Sequence, residues 1–387
     1  MSSHSTLFTP FQVKELSLKN RIIMAPLYLG YADPDGTVSP LLLDHYREMA
    51  GSGAAMIVVE HTCVDPSGLG SPFMLRIDDD HYISGLAELA RTIQNEGALA
   101  VLQINHTGRY AYMPERLAPS PVKTGDVVPK EMTEKEIEET IQAFASGAKR
   151  VKEAGFDGVE IHGGTGYLCV QFLSPRTNLR EDRYGGSLEN RMRFPLEVVD
   201  TVFTEVGESY PLGYRFLADE WLPDGLHTEE TSVFARELEK RGVAYLSVMA
   251  GTYDAFYLPE YLEQEKREGY MVHFADSIKK AVQTTPIVTA GRIQSPETAE
   301  MILKKQEADL IGLARVLFAD PCWPKKAEGQ RTEPIVECKH TCSLCTKRVM
   351  TGMPAFCSQW DKGRREAFLK RLGEPVGEEQ GINGKEV

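Results

Sequence analysis

The chain has 387 residues, 42% of them hydrophobic, a length that holds one large barrel or two modest domains and buries a sizeable core. Its formal net charge of −13 argues against nucleic acid or an anionic membrane as main partner, because both reward a basic surface. No stretch reaches the apolar length of a membrane span, and the opening MSSHSTLFTP lacks the basic-then-apolar pattern of a secretory signal, so a cytoplasmic, reducing location is expected.

In chain order, LFTPFQVKELSLKNRIIMAPL reads as two short extended pieces that cap a barrel floor, followed by a first core strand at 21–25. Apolar runs recur at 55–59, 99–104, 158–161, 212–217, 245–249, 286–289 and 309–313. Between them, patterns of helical period fall at 41–50, 83–95, 134–153, 189–205, 229–241, 274–282 and 297–304. Eight strands, each followed by a helix or a helix-sized segment, fit a (β/α)8 TIM barrel better than an open sheet, and no GxGxxG follows an early strand. The connection 106–130 is rich in Pro and polar residues and follows the third strand, on the face where long ordered loops serve function. The expected organisation is a barrel over 1–330, a cysteine-rich extension over 331–370, and a polar, glycine-rich flexible tail over 371–387.

Three clusters carry the chemistry. The loop leaving the fourth strand, HGGTGY, holds His162, Thr165 and Tyr167 within six positions, all able to hydrogen-bond a substrate at the end of the barrel that bears active sites. Gly291 and Arg292 follow the seventh strand, while Ala314 and Arg315 follow the eighth; this is the recurrent barrel phosphate site, where glycine permits close backbone approach and arginine neutralises the dianion. Seven cysteines make an odd set for a disulfide scaffold. Cys338, Cys342, Cys345 and Cys357 crowd into C-x3-C-x2-C-x11-C, and four thiolates in one compact loop system satisfy either a tetrahedral zinc or a 4Fe-4S cluster. C-x3-C-x2-C is also the spacing of radical SAM enzymes, but that motif lies after the first strand and leaves one iron without a cysteine, whereas here it follows the eighth strand and is joined by Cys357. Cys63, Cys169 and Cys322 are scattered and read as small, partly buried residues.

With KNRIIMAPL, QINHTGR, HGGTGYLCVQFLSPRTNLREDRYGGSLENR, GYRF, AGRI and IGLARVLFADP in this order, the sequence resembles the old yellow enzyme family of FMN-dependent barrel oxidoreductases over residues 7–326. The resemblance implies an apolar flavin bed from Met24, Ala25 and Pro26, an amide for the ring's pyrimidine edge from Gln103, and from Arg215 a positive charge that stabilises the reduced ring. Gly291, Arg292, Ala314 and Arg315 would take the FMN phosphate. His162 occupies the first position of the family's substrate-anion pair, and Tyr167 matches the tyrosine that protonates the carbon next to the carbonyl while the flavin delivers hydride. The second position of the pair, usually histidine or asparagine, is Thr165, a shorter single donor. Tyr28 and His61 stand where smaller residues are common and would narrow or repolarise the pocket; Tyr253 and Asp254 lie where dienoyl-CoA reductases place an additional acid.

The cysteine-rich stretch resembles the iron-sulfur branch of that family, which includes 2,4-dienoyl-CoA reductase and trimethylamine dehydrogenase, although its intervals of three and two depart from theirs. Those larger relatives carry FAD and NAD(P)H domains after the cluster, whereas this sequence stops about thirty residues past Cys357. Electrons are therefore expected from a separate electron-transfer protein, or from NAD(P)H bound over the flavin. The expected activity is reduction of an activated carbon–carbon double bond in an enone, enoate or enoyl-CoA by a homo-oligomer. Two alternatives remain open: amine dehydrogenase-like oxidation, for which Tyr28, Tyr167 and Tyr253 would form a partial aromatic bowl, and an electron-transfer subunit with an inactive pocket.

Overall fold

Eight parallel strands close into a barrel in the computed structural model, which describes residues 5–375. They are β1 (Ile22–Met24), β2 (Met56–Cys63), β3 (Leu99–Asn105), β4 (Gly158–Gly163), β5 (Leu212–Asp219), β6 (Tyr245–Ala250), β7 (Ile287–Thr289) and β8 (Leu310–Leu313). Each pairs with its chain neighbours, and β8 closes on β1 through Ile311 opposite Ile22. The outer ring consists of α1 (Pro40–Ala50), α2 (Ile83–Asn95), α3 (Glu134–Glu153), α4 (Leu188–Val206), α5 (Thr228–Lys240), α6 (Val272–Ala281), α7 (Pro296–Lys304) and the short α8 (Arg315–Ala319).

Four of the eight helices start where a side chain satisfies their first amides. Ser39 accepts from Leu42 N ahead of Pro40, and Thr133 with Glu136 forms a reciprocal capping box. The barrel interior is one buried cluster that includes Ile23, Met56, Val58, Val101, Tyr245, Val288 and Leu310. Val13, Leu16 and Leu18 belong to the same cluster, so the antiparallel hairpin Phe11–Val13/Leu16–Leu18 caps the floor, as its two extended pieces suggested.

Four features go beyond simple alternation. β2 continues to Cys63, four residues past the expected end, and its register against β3 shifts between Val59 and Thr62. Strict alternation from inward Met56 and Val58 would turn His61 outward; the bulge reverses this and aims its ring at the barrel mouth. The connection after β3 is ordered by a turn at Gly108–Tyr110 and a two-residue bridge between Leu117–Ala118 and Lys130–Glu131. Helices Leu168–Leu173 and Pro259–Gln264 sit inside loops and are too short to declare a helical period.

The extension also contributes helices Leu344–Met350 and Lys362–Arg371 and packs on the barrel. Trp360 Nε1 donates to Phe318 O at 2.9 Å, and Arg364 and Arg371 pair with Glu48 and Asp44 of α1 at 2.6 and 2.8 Å. Arg371, the expected first residue of a tail, is thus part of this packing; 376–387 lie outside the described residues. Among the described residues no helix is long and apolar enough to cross a membrane.

Candidate active site

The C-terminal ends of β1 to β6 converge on one mouth. Met24 ends β1 and Ala25 follows it, both buried, and Pro26 is half-buried. On β3, Gln103 Nε2 donates to Glu160 Oε1 of β4 at 2.7 Å, while on β5 Arg215 Nη1 donates to Ser247 Oγ of β6 at 2.7 Å. His162 and Arg215 are register partners in the β4/β5 ladder. Gln103, Glu160, Arg215 and Ser247 thus follow one another on adjacent strands as a polar ring at the barrel's neck; burial pushes the Glu160 carboxyl up and the Arg215 charge pulls it back. Sequence reasoning found Gln103 and Arg215 but missed Glu160, whose role depends on facing both.

The loop after β4 turns back over this ring because its glycines allow close approach. A Cβ at Gly163 would lie 2.1 Å from the Tyr214 ring, and one at Gly164 would lie 2.6 Å from Met249 Sδ. Thr165 has φ 61, a strained conformation for a β-branched residue, and its hydroxyl lies 3.6 Å from Met249 Sδ. Buried Gln171 pins this loop to the one after β3: it donates to Thr107 O and Gly166 O at 3.0 and 2.8 Å and accepts from Arg109 N at 3.0 Å.

His162 and Tyr167 meet edge-on with ring centroids 4.9 Å apart, and His61 approaches them at 5.9 and 5.6 Å respectively. Tyr28 lies 5.2 Å from His61 and donates to Ser71 Oγ at 2.6 Å. Burial pushes His61 down to about 4, and burial together with His61 and Arg215 pushes His162 well below its ordinary value. Both rings are therefore neutral near pH 7. Gly164 N donates to His162 Nδ1 at 3.2 Å, which assigns the remaining ring proton to Nε2. His162 is then a neutral donor beside a tyrosine that burial keeps protonated.

Tyr167 OH shares a hydrogen bond with Tyr253 OH at 2.8 Å. Asp254 is differently employed: Arg109 Nη2 binds it at 2.5 Å and Tyr110 OH donates to it at 3.1 Å. Although burial opposes ionisation, these partners hold its carboxyl below the usual range, so it is charged and unsuited to act as an acid.

At the phosphate loops, Gly291 and Arg292 have φ 106 and 53, a sharp turn that glycine makes possible at its first position. Arg292 reaches away from the mouth, donating to Glu265 O at 2.6 Å and Cys338 O at 3.1 Å. Ala314 precedes α8 without a side-chain cap, and Arg315 lines one cavity with Cys338, Cys342, Cys345 and Cys357. All four thiols are free of disulfides. Among the described residues no group of three or more His, Cys, Asp or Glu side chains is drawn together closely enough to hold a single metal ion. The four thiols all line this one cavity.

The NADH:flavin oxidoreductase / NADH oxidase family matches residues 6–333. The chain belongs to this family, the old yellow enzyme family of flavin-dependent oxidoreductases. The NADH oxidase of Thermoanaerobacter brockii is 43% identical over 87% of this chain and 53% of its own length. The NADPH dehydrogenase of Bacillus licheniformis is 41% identical over 85% of this chain and 95% of its own. A 2-naphthoyl-CoA reductase in complex with 2-naphthoyl-CoA superposes with a TM-score of 0.88 at 31% identity, over 94% of this chain and 58% of the reductase. The chain thus spans about half the length of the first of these curated relatives. Coverage of 94% exceeds what the barrel match alone supplies, so the likeness to the reductase takes in much of the cysteine extension.

Proposed function

We propose that this member of the family is an FMN-dependent ene-reductase acting on an activated carbon–carbon double bond in an enone, enoate or enoyl-CoA, with electrons fed through a 4Fe-4S cluster. The observation that carries this reading is the pairing of His162, neutral and donating from Nε2, with protonated Tyr167 above the Gln103–Glu160–Arg215 ring. The donor set suits FMN: Met24, Ala25, Pro26, Tyr28 and His61 offer a largely apolar and aromatic enclosure, Gln103 an amide, and Arg215 a fixed positive charge. The backbone of the Gly291–Arg292 turn, with Ala314 and Arg315, would hold its phosphate, the Arg292 side chain being engaged by Glu265 O and Cys338 O. When bound, FMN supplies the hydride that reduces one carbon of the double bond.

This chain's residues do the rest. His162 Nε2–H holds the substrate carbonyl oxygen and draws charge toward it, and Thr165 contributes at most one shorter donor, which its left-handed backbone fixes in place. Tyr167 gives its proton to the adjacent carbon, and Tyr253, half-buried at the rim, is the hydrogen-bonded phenol from which that proton is replaced. The similarity to 2-naphthoyl-CoA reductase supports a CoA thioester, and the NADPH dehydrogenase relative supports NAD(P)H as donor beside a separate electron-transfer protein.

Four free thiols lining one cavity suit a soft-metal site, and the resemblance to the iron-sulfur branch favours a 4Fe-4S cluster over zinc. Cys338, Cys342, Cys345 and Cys357 would be its ligands. The test is anaerobic purification followed by visible spectroscopy with iron, sulfide and zinc assays, then half-reaction kinetics of Tyr167→Phe. Flavin with iron and sulfide, and a variant reduced by NAD(P)H at the parent rate but reoxidised by an enone roughly 100-fold more slowly, are expected. Colourless protein, or an unchanged oxidative half-reaction, would sink the reading.

A further inference from the structure

The turn that ends β7 is physically joined to the first of the four cysteines. Gln294 Nε2 donates to Cys338 O at 2.7 Å, and Cys338 N donates back to Gln294 Oε1 at 3.2 Å, a two-point pairing like one rung of a sheet. Arg292 Nη1 donates to the same carbonyl at 3.1 Å. Gln294 is itself held on both sides of its backbone: its N–H donates to Glu268 Oε1 at 2.7 Å, and its carbonyl accepts from Trp323 Nε1 at 2.6 Å. The side-chain amide therefore leaves a fixed anchor, and displacing Cys338 would break bonds to two residues of one short turn.

The opposite end of the cysteine segment is joined to the mouth as well. Ala355 N donates to Leu29 O at 2.9 Å, and Tyr31 OH donates to Ala355 O, two residues before Cys357 and directly after Tyr28 in the loop leaving β1. Arg315 stands between the two regions, lining the cysteine cavity while its guanidinium faces Glu265 at 3.9 Å. The segment that carries the thiols is therefore bonded to the two loops that flank the candidate flavin site.

We propose that Gln294 is a positioning residue that couples occupancy of the four-cysteine site to binding of the FMN phosphate, by locking the Gly291–Arg292 turn to the Cys338 backbone. This deepens the reading that the cysteines hold a 4Fe-4S cluster and that the turn receives the phosphate. Ligation at Cys338 Sγ fixes that residue's backbone, which fixes the carbonyl shared by Gln294 and Arg292, so the turn meets the phosphate already ordered. The latch consists of bonds to a neutral backbone, so it acts by ordering and survives moderate salt. Coupling of this kind is reciprocal: the bound flavin must protect the cluster by the same factor.

The experiment compares FMN affinity, followed by flavin fluorescence, for the anaerobically isolated holoenzyme and for the same protein stripped of iron by chelator, in the parent and in Gln294→Ala and Gln294→Glu. Iron retained at a set chelator concentration, with and without added FMN, gives the reverse coupling. Stripping the parent is expected to weaken FMN roughly tenfold. Gln294→Ala should bring the two forms within about twofold of each other, and Gln294→Glu, which keeps the acceptor for Cys338 N but loses the donor, should fall between. Unaltered circular dichroism of the variants supports a local effect. Equal FMN affinity in loaded and stripped parent protein, or full coupling retained in Gln294→Ala, overturns the proposal while leaving the iron-sulfur reading intact. Isolated protein that carries flavin but neither iron nor sulfide overturns that reading and the proposal with it.

Discussion

Glu60 offers a sharp test of the electrostatics beneath the site. It stands beside His61 at the β2 bulge, fully buried, and neither carboxyl oxygen has a partner within hydrogen-bonding geometry. Burial pushes it up to about 8, and the nearby Leu29 amide only partly offsets this. The folded state thus keeps a proton that the unfolded chain, with a carboxyl near 4.5, releases. Stability that is fully present below the unfolded pKa is therefore lost as pH rises toward the folded one, by about 1.4 kcal/mol per pH unit. Across the interval this accumulates to about 4 kcal/mol by pH 8, a shift of about 5 °C in Tm for a chain of this size. Glu60→Gln keeps the shape of the neutral acid but cannot ionise. Its Tm should stay within about 1 °C of the parent at pH 5 and exceed it by about 5 °C at pH 8. Thermal melts at half-unit pH steps would measure the difference, and two curves separated by a constant offset would refute a buried, upshifted Glu60.

Two further predictions concern the chemistry. Tyr253→Phe removes the hydroxyl 2.8 Å from Tyr167 OH and should slow the oxidative half-reaction about tenfold while sparing the reductive one. An unchanged rate and solvent isotope effect would exclude Tyr253 from proton delivery. Arg215→Met removes the charge that opposes the upward shift of Glu160 and should weaken FMN at least roughly tenfold and lower the Tm. The double variant with Glu160→Gln should regain the stability but not the FMN affinity, so recovery of both would make Arg215 a purely structural partner.

Much of this architecture was legible because period and punctuation agree. The helices Ile83–Asn95 and Glu134–Glu153 coincide with their expected bounds, and each barrel strand lies on a predicted apolar run. His162, Thr165 and Tyr167 stood out as candidates because a glycine-rich stretch follows a strand, and the four cysteines because four thiols at short spacings form a metal-ligand pattern. Gln294, Glu160, Gln171 and Tyr31 gave no such signal, since a lone polar residue at a strand end or in a loop resembles any other.

Sequence alone determined the barrel, its eight units and the types of group brought to its mouth, because hydrophobic period and capping act within one segment at a time. Tertiary structure decided what those groups are chemically. The β2 bulge turned His61 inward, burial made His61 and His162 neutral, and Arg109 kept Asp254 ionised while Tyr253 became the partner of Tyr167. It also joined the cysteine extension to the loops after β1 and β7. Protonation and pairing depend on desolvation and on distances between residues far apart in the chain, and neither quantity exists until the chain has folded.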